Sequence, residues 1–320
     1  MDIEKGAVDI ARLRFWLSIV VDEEEASPLP NLDYKIMQGN SLIESYKGLD
    51  LSKLTYAKKS GGHISQYSIF EDDTKQLQRE VTQLLTQYYS CSDHDKKTDL
   101  RNKISNTIAK QLSVQNFDAD ILRELRTLDL AGNDQFFLWH TWFSDVFNKG
   151  GFDIVIGNPP YVKELGNEKV FTPVINSSFG KKYHAGKMDY WYYFLHKSIE
   201  LISKSGIISF ITSRYWINST GAKKIIKHVS EETSFINIVD IGKLKVFDNV
   251  VGHHMISILT KDTSRDTCKY FAISDDVKNI ENGIYTSQRV IKREDLFLNN
   301  EIVLENRIAS NTTQTLGDIC

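Results

Sequence analysis

The fold of this chain is decided by one stretch, Phe152-Asp153-Ile154-Val155-Ile156-Gly157-Asn158-Pro159-Pro160-Tyr161. Its first half is a continuous apolar run, which predicts a central strand of a parallel sheet that is buried on both faces. Its second half presents an amide, two prolines and an aromatic ring directly after that strand. Because ligands bind at the carboxyl ends of strands in open parallel sheets, we expect the asparagine between strand and prolines to face a site.

The segments on either side of this stretch repeat a strand and helix rhythm that indicates an α/β fold. Residues 1–3 resemble the end of a strand, residues 4–21 have the apolar spacing of a buried helix, and residues 35–37 form a short strand ending at Gly39-Asn40. After the motif we predict a helix from Trp191 to Ile202, closed by Gly206. Strands are then predicted over 207–212, 235–241 and 255–259.

A long helical pattern interrupts the predicted sheet between residues 44 and 134. Apolar residues recur there at helical intervals, and examples are Leu77, Val81, Leu84, Ile104 and Ile108. A connection of this length is far longer than ordinary loops, so we interpret it as an inserted helical subdomain. A disordered linker is the alternative, and the persistent apolar period argues against it.

Composition excludes several classes of protein. With 320 residues and 41% hydrophobic content, the chain can form one large domain or two modest ones, and no apolar run predicts a membrane span or a secretory leader. Three scattered cysteines suit a reducing compartment, so we expect a cytoplasmic protein without structural metal. The net charge of -3 does not by itself indicate nucleic-acid binding. Lys181, Lys182 and Lys187 nevertheless form a local basic group among aromatic residues, either a DNA contact or a solvated surface.

The motif that follows the strand has a specific chemical use. An amino group conjugated to a ring is a poor nucleophile because its lone pair is delocalised. If the side-chain oxygen of Asn158 and the carbonyl of Pro159 each accept one N–H, the lone pair is directed at an electrophilic methyl group. Pro160 stiffens the turn, and Tyr161 can stack on a planar substrate. The alternative is a proline-rich turn that only caps a strand.

Asn-Pro-Pro-Tyr after a hydrophobic strand resembles the catalytic motif of amino-group methyltransferases, and in particular of adenine-N6 DNA methyltransferases. The surrounding segments 136–140, 143–147 and 150–152 are similar to the Eco57I-like, type IIG restriction-modification group and to methyltransferases of phage-exclusion systems. The resemblance implies a Rossmann-like sheet, S-adenosylmethionine as cofactor, and methyl transfer to an adenine flipped out of double-stranded DNA. It also implies a nuclease and a target-recognition domain, fused or separate.

The same resemblance assigns roles to four further positions. Asp2 falls where an acidic residue binds the ribose hydroxyls of the cofactor, and Ile3 would pack on its adenine. Asn40 stands where the family usually has an aspartate that accepts from the cofactor's amino group, and Asn158 also lines the cofactor site. Phe247 resembles the second aromatic residue that stacks on the flipped base. Taken alone, these residues would be a surface carboxylate, a turn residue and a core phenylalanine.

The family's glycine-rich loop should precede Asp2, and this sequence contains no such loop. The resemblance therefore implies a chain that begins inside the cofactor domain and ends, at Cys320, before a target-recognition domain. We expect four parts: residues 1–43 as a partial cofactor-binding half, 44–134 as the helical insertion, 135–262 as the catalytic half, and 263–320 as a linker.

Two other functions use the same motif. Methyltransferases that act on a glutamine side chain or on a ribosomal-RNA base share the chemistry, but they resemble compact single domains without a long insertion. A catalytically incompetent fragment is the third reading, and the missing glycine loop supports it.

Overall fold

The computed structural model describes residues 1–22, 29–52, 67–114, 118–247, 252–273, 276–280 and 282–304. The chain divides into two compact units. Unit 1 comprises Met1–Gly150 and Lys169–His184, and unit 2 comprises Gly151–Glu168 and Ala185–Cys320. In the described ranges, no helix is both long and apolar enough to cross a membrane.

Unit 1 opens with a helix flanked by short parallel pairings. Helix α1 spans Lys5–Asp22, and single parallel bridges join Asp2 to Gln38 and Gln38 to Gly132. The predicted order of strand, helix and strand is present only as isolated bridges. These bridges are not part of the sheet that contains residues 152–157, so the prediction that both segments belong to that sheet is wrong. The predicted burial of this helix is wrong, because Val8 is its one buried residue. Periodicity identifies a helix, but it does not show which of several apolar stripes meets a partner.

The stripe of α1 that does pack is defined by i, i+4 spacing. Val8 is buried, Arg12 donates from Nε and Nη2 to the carbonyl of Ile36, and Trp16 donates from Nε1 to the carbonyl of Pro30. The helix is thus attached to residues 30–36 by side-chain bonds to backbone oxygens.

The described part of the segment from residue 44 to residue 134 is mainly helical, and its identity as an inserted subdomain stays a prediction. A hairpin of β1 (Ser45–Tyr46) and β2 (Leu49–Asp50) precedes α2 (Tyr67–Ser90), α3 (His94–Val114) and α4 (Ala119–Thr127). Helices α2 and α3 pack on each other through buried apolar residues spaced by three and four positions, namely Val81, Leu85, Tyr88, Ile104, Ile108 and Leu112. Asp118 caps α4 by accepting from two backbone N–H groups. Phe117, which continues the predicted pattern, lies outside the described residues.

The described part of unit 1 also contains four short helices, except that the first residue of one of them, Glu168, belongs to unit 2. They are α5 (Trp139–Trp142), α6 (Ser144–Asn148), α7 (Glu168–Asn176) and α8 (Ser178–Tyr183).

Unit 2 is built on one six-stranded sheet. Its strands are β3 (Phe152–Gly157), β4 (Ile202–Ser213), β5 (Ser234–Gly242), β6 (His254–Thr260), β7 (Thr267–Ala272) and β8 (Ser287–Lys292). The spatial order is β3-β4-β6-β5-β7-β8. Strands β3, β4, β5 and β7 run parallel to one another, whereas β6 and β8 are antiparallel to their neighbours. Helices α9 (Trp191–Leu201) and α10 (Lys223–Glu232) pack against each other beside the sheet strands they connect.

Strand β3 differs from its predicted environment. In the described residues it pairs with β4 alone, so it lies at an edge of the sheet, and Ile154 and Ile156 are 67% and 80% exposed. The prediction of a central strand buried on both faces is therefore wrong for the described sheet. An apolar run indicates a strand whose two faces can both be buried. It does not indicate whether that strand has one neighbouring strand or two.

Gly206 also has a different place from the one predicted. Helix α9 ends at Leu201, and Gly206 lies inside β4. A Cβ atom at this position would stand 2.7 Å from the carbonyl oxygen of Phe152. Glycine here permits the close approach of β3 to β4, where the pairing register shifts between Phe152 and Ile154.

The predicted strands over 235–241 and 255–259 are confirmed as β5 and β6. Beyond them, β7 and β8 extend the same sheet, so the boundary predicted after residue 262 falls within one sheet. The described chain continues through α11 (Arg293–Leu296), β9 (Phe297–Leu298) and β10 (Glu301–Ile302).

Candidate functional site

One edge of the sheet in unit 2 collects the polar and aromatic residues of the motif. The carboxyl ends of β3, β4 and β5 meet there, and because β6 is antiparallel, its amino end lies at the same edge. His254, the first residue of β6, pairs with Ser213 at the end of β4 and with Gly242 at the end of β5. We refer to this region as the carboxyl edge.

The turn after β3 forms a fixed corner of the carboxyl edge. Asn158 and Pro160 are exposed, whereas Pro159 is buried. Tyr161 is half-buried, and its hydroxyl donates to the carbonyl of Ile211 on β4 at 2.8 Å. Burial raises the pKa of Tyr161 to about 12, so its ring is neutral in the physiological range. The amide of Asn158 is therefore held at the surface by a corner that is bonded to the neighbouring strand.

A second aromatic residue approaches this corner through a histidine. The ring of His254 lies 6.0 Å from the ring of Tyr161 and 5.8 Å from the ring of Phe247, measured between centroids. Phe247 is half-buried and meets the imidazole edge-on, at an interplanar angle of 79°. The structure thus brings Tyr161 and Phe247 to the same imidazole, although they are 86 positions apart in numbering, from 161 to 247.

Sequence reasoning missed His254. Burial lowers its pKa, and the nearby backbone of Gly252 opposes that effect. The signal that was available is the run Gly252-His253-His254 at the start of an apolar strand, but its meaning depends on β6 being antiparallel.

A buried ion pair connects the strands near the carboxyl edge. Asp240, near the end of β5, accepts from Arg214 Nε at 2.7 Å, from the Tyr270 hydroxyl at 3.0 Å and from the Gly242 N–H at 3.0 Å. Arg214 follows β4 directly, and its backbone N–H donates to the carbonyl of His253. The carboxylate therefore connects the ends of β4, β5 and β7.

Of the four residues assigned to the cofactor, Asp2, Ile3 and Asn40 lie in unit 1, whereas Asn158 lies in unit 2. Asp2 is exposed, and its Oδ1 accepts from the N–H of Glu4 at the start of α1. The N–H of Gly39 donates to the carbonyl of Asp2, which places Asn40 one residue away from that pairing. Ile3 is 48% exposed. Asp2, Ile3 and the Asn40 loop are thus neighbours in unit 1.

The segment from Phe136 to His140 holds the Asn40 loop. Trp139 donates from Nε1 to the carbonyl of Ser41 at 2.9 Å. The buried carboxylate of Glu44 accepts two hydrogen bonds from His140, one from its backbone N–H and one from its ring Nδ1, each at 2.9 Å. This segment carries part of the family resemblance, and its contacts give it a structural role beside the predicted cofactor residues.

The three lysines predicted to contact DNA are all exposed. Lys181 and Lys182 belong to α8 in unit 1, and the ammonium of Lys182 lies over the ring of Tyr183 at 4.6 Å. Lys187 belongs to unit 2 and has a positive φ of 54°.

Comparison with known proteins gives a family match and several partial relatives. Residues 1–247 match the model of a family described as Eco57I restriction-modification methylase. The chain is 25% identical over 126 residues to the type II restriction enzyme and methyltransferase RM.Eco57I of Escherichia coli, covering 39% of this chain and 12% of that protein. It is 27% identical over 157 residues to the type II methyltransferase M.HincII of Haemophilus influenzae, covering 47% and 31%.

Among solved structures, the type IIG restriction endonuclease BpuSI aligns with 59% of this chain and 24% of its own, at 16% identity and a TM-score of 0.35. The chain spans about an eighth to a third of the length of the curated relatives named above.

Proposed function

Because the chain belongs to the Eco57I restriction-modification methylase family, we propose that it is the catalytic part of an S-adenosylmethionine-dependent DNA adenine-N6 methyltransferase. We infer that it serves a bacterial restriction-modification or phage-defence system in the cytoplasm. The observation that carries the proposal is the exposed amide of Asn158 directly after strand β3. The turn that contains this amide is fixed by the hydrogen bond from the Tyr161 hydroxyl to β4.

The amide and the following carbonyl act on the nucleophile. The side-chain oxygen of Asn158 and the carbonyl of Pro159 accept the two N–H groups of an exocyclic amine and direct its lone pair outward. Because both acceptors are fixed before the reaction, they stabilise positive charge that develops on nitrogen only in the transition state. Pro159 is buried, which keeps its carbonyl from rotating away.

The aromatic residues hold the base. An adenine inside a duplex cannot reach the motif, so it must be flipped out of the stack. Tyr161 offers a neutral ring fixed through its hydroxyl, and Phe247 offers a second ring that meets the same imidazole, that of His254. A base stacked on one aromatic ring gains about 1–3 kcal/mol.

The cofactor would be held by residues of unit 1. When bound, S-adenosylmethionine supplies an electrophilic methyl group on a sulfonium. Asp2 keeps a second carboxylate oxygen beyond the one bonded to Glu4, which suits ribose hydroxyls, and the exposed Ile3 suits the face of an adenine. Asn40 accepts from the N–H of Leu42 with its side-chain oxygen, and a carbonyl oxygen has a second lone pair for an amino group. These two acceptors and the apolar side chain fit the cofactor.

The DNA would be bound through phosphates. Lys181, Lys182 and Lys187 are exposed and carry the local positive charge that phosphate contacts require. Sequence recognition and cleavage belong to a target-recognition domain and a nuclease, fused or separate, because the residues of the motif touch an amino group and not a base sequence.

Two alternatives stay open. A glutamine side chain or a ribosomal-RNA base also presents an amino group for this chemistry, and a catalytically incompetent fragment would keep the fold without turnover. The long helical insertion favours DNA over the first alternative.

The test is methyl transfer from labelled S-adenosylmethionine, with duplex DNA, ribosomal RNA and a glutamine-containing protein offered in parallel. We expect the label in N6-methyldeoxyadenosine after digestion of the DNA. Asn158→Ala should abolish transfer without changing the circular dichroism spectrum, because the side chain is exposed.

Asn176→Ala, at an exposed asparagine ending α7, is the matched control and should keep full transfer. Label in RNA or in glutamine would replace DNA by that substrate. Undiminished transfer by Asn158→Ala would remove the assignment, and the absence of label from all three substrates would leave the incompetent fragment.

A further inference from the structure

His254 occupies a position where a hydrophobic side chain would be expected. It is 2% exposed and begins a strand whose next residue, Met255, is fully buried. It lies between β4 and β5 in the sheet, so its backbone is fixed on both sides. Within the described residues, its Nδ1 atom is buried and has no hydrogen-bond partner.

A buried polar atom without a partner destabilises a protein, so such an atom needs an explanation. Packing does not supply one, because phenylalanine or leucine would fill the same space without a nitrogen. The ring is also held neutral by its burial, which lowers its pKa. A neutral imidazole keeps a hydrogen-bonding nitrogen that can pair with the edge of another heterocycle.

The surroundings of the imidazole indicate which ligand supplies the missing partner. Its two ring neighbours are Tyr161 and Phe247, both half-buried and both at the carboxyl edge. The adjacent His253 behaves differently, since its ring meets the exposed ring of Tyr215 instead. The imidazole that carries the unpartnered nitrogen thus meets both aromatic rings of the carboxyl edge.

We propose that His254 is a further base-contacting residue, whose Nδ1 forms a hydrogen bond with the polar edge of the base that enters between Tyr161 and Phe247. This inference rests on the proposed function, because the ligand is the base on which Asn158 acts. The imidazole would make the site prefer a flat heterocycle with heteroatoms over an apolar ring of the same size. Such an edge contact adds specificity that stacking does not provide.

The probe is single-stranded oligodeoxyadenosine, compared with an abasic strand of the same length at one salt concentration. We define the base ratio as the dissociation constant of the abasic strand divided by that of oligodeoxyadenosine. This ratio cancels the phosphate contribution, which both strands share. Fluorescence anisotropy with the full chain gives both constants without requiring turnover. We expect the unmodified chain to bind oligodeoxyadenosine more tightly than the abasic strand.

Three substitutions separate the roles of shape and nitrogen. His254→Phe keeps a planar ring and removes the buried nitrogen, so it should fold with an equal or higher unfolding temperature while the ratio falls about threefold to tenfold. His254→Asn keeps a polar atom near the position of Nδ1 and should restore most of the ratio, despite a lower unfolding temperature. His253→Phe is the matched control on the preceding residue and should leave the ratio unchanged.

The outcomes distinguish this inference from the proposed function. If Tyr161→Ala and Asn158→Ala lower the ratio but His254→Phe does not, the imidazole is only packing and this inference is wrong while the function stands. If the unmodified chain shows no preference for oligodeoxyadenosine over the abasic strand, base binding itself fails and both proposals fall. Equal losses for His254→Phe and His253→Phe would also overturn the role of Nδ1.

Discussion

Replacing Asp240 with alanine should loosen the carboxyl edge of the sheet. The carboxylate is buried and accepts three hydrogen bonds, from Arg214, Tyr270 and the N–H of Gly242. Its removal leaves a guanidinium, a hydroxyl and a backbone N–H without that acceptor. Two of these donors belong to segments that flank the site, since Arg214 follows β4 and Gly242 ends β5.

The size of the effect follows from the exposure of the pair. Breaking a buried ion pair by removing one partner costs about 3–5 kcal/mol. The side chains of Arg214 and Asp240 are 24% and 10% exposed, so water partly solvates the guanidinium that remains. We therefore expect a loss of roughly 2–4 kcal/mol after allowance for this screening. At about 2–4 °C per kcal/mol for a domain of this size, the unfolding midpoint falls by roughly 4–16 °C.

Thermal unfolding of the full chain, followed by circular dichroism, measures this shift. Arg214→Ala and the double variant Arg214→Ala with Asp240→Ala complete a double-mutant cycle, and the double variant should lose less stability than the two single losses combined. Glu294→Ala is the matched control, because Lys292 and Glu294 form an ion pair in the same unit with side chains 69% and 75% exposed. A surface pair of this kind contributes about 0–1 kcal/mol.

The reasoning is refuted if Asp240→Ala lowers the midpoint no more than Glu294→Ala does. Additive losses in the cycle would refute the coupling of Arg214 to Asp240, even if each single variant were unstable.

Three further predictions concern strand packing and titration. Gly206→Ala should lower stability in urea by about 1–3 kcal/mol, because its Cβ would meet the Phe152 carbonyl oxygen, whereas Gly6→Ala in α1 meets nothing within 4 Å and should raise it by about 0.5–1 kcal/mol. Burial raises the pKa of Tyr161 from 10.0 to about 12. The stability that this neutral phenol contributes is therefore complete below pH 10 and is lost as the pH rises through 12. A Tyr161→Phe variant whose unfolding midpoint falls by the same amount over that range would contradict this. Burial lowers the pKa of His254 below 6.5, so its contribution is complete above pH 6.5 and is lost as the pH falls through the folded value; unfolding midpoints from neutral pH downward should show a smaller acid loss in His254→Phe.

The parts of the fold that the sequence predicts are those with strong local patterns. The helices of the insertion follow from apolar residues three and four positions apart, and strands β5 and β6 follow from short apolar runs. The burial of α1 and of β3 was not predictable in the same way. Ile10 and Ile154 have the same local patterns as core residues, yet both are more than half exposed, because exposure depends on neighbours that no local pattern specifies.

The same distinction applies to the candidate site. Asn158, Pro159, Pro160 and Tyr161 are contiguous, so one motif identifies them together. Asp240 was not identified, because it looks like a polar residue within an apolar strand until Arg214 and Tyr270 are seen beside it. Long-range pairing creates that environment, and a single sequence does not record it.

The insertion of β6 between β4 and β5 explains why the site needs both parallel and antiparallel strands. Parallel strands present their carboxyl ends at one edge, and this brings Asn158 and Arg214 there. The antiparallel β6 adds its amino end at the same edge, which brings His254. Adjacent strands are separated by about 4.8 Å, so the ends of β3 and β6 lie about 10 Å apart with β4 between them. With a hydrogen bond of about 3 Å at each end, a single flat base would span that separation, and it would meet the amide of Asn158 at one end and the imidazole of His254 at the other.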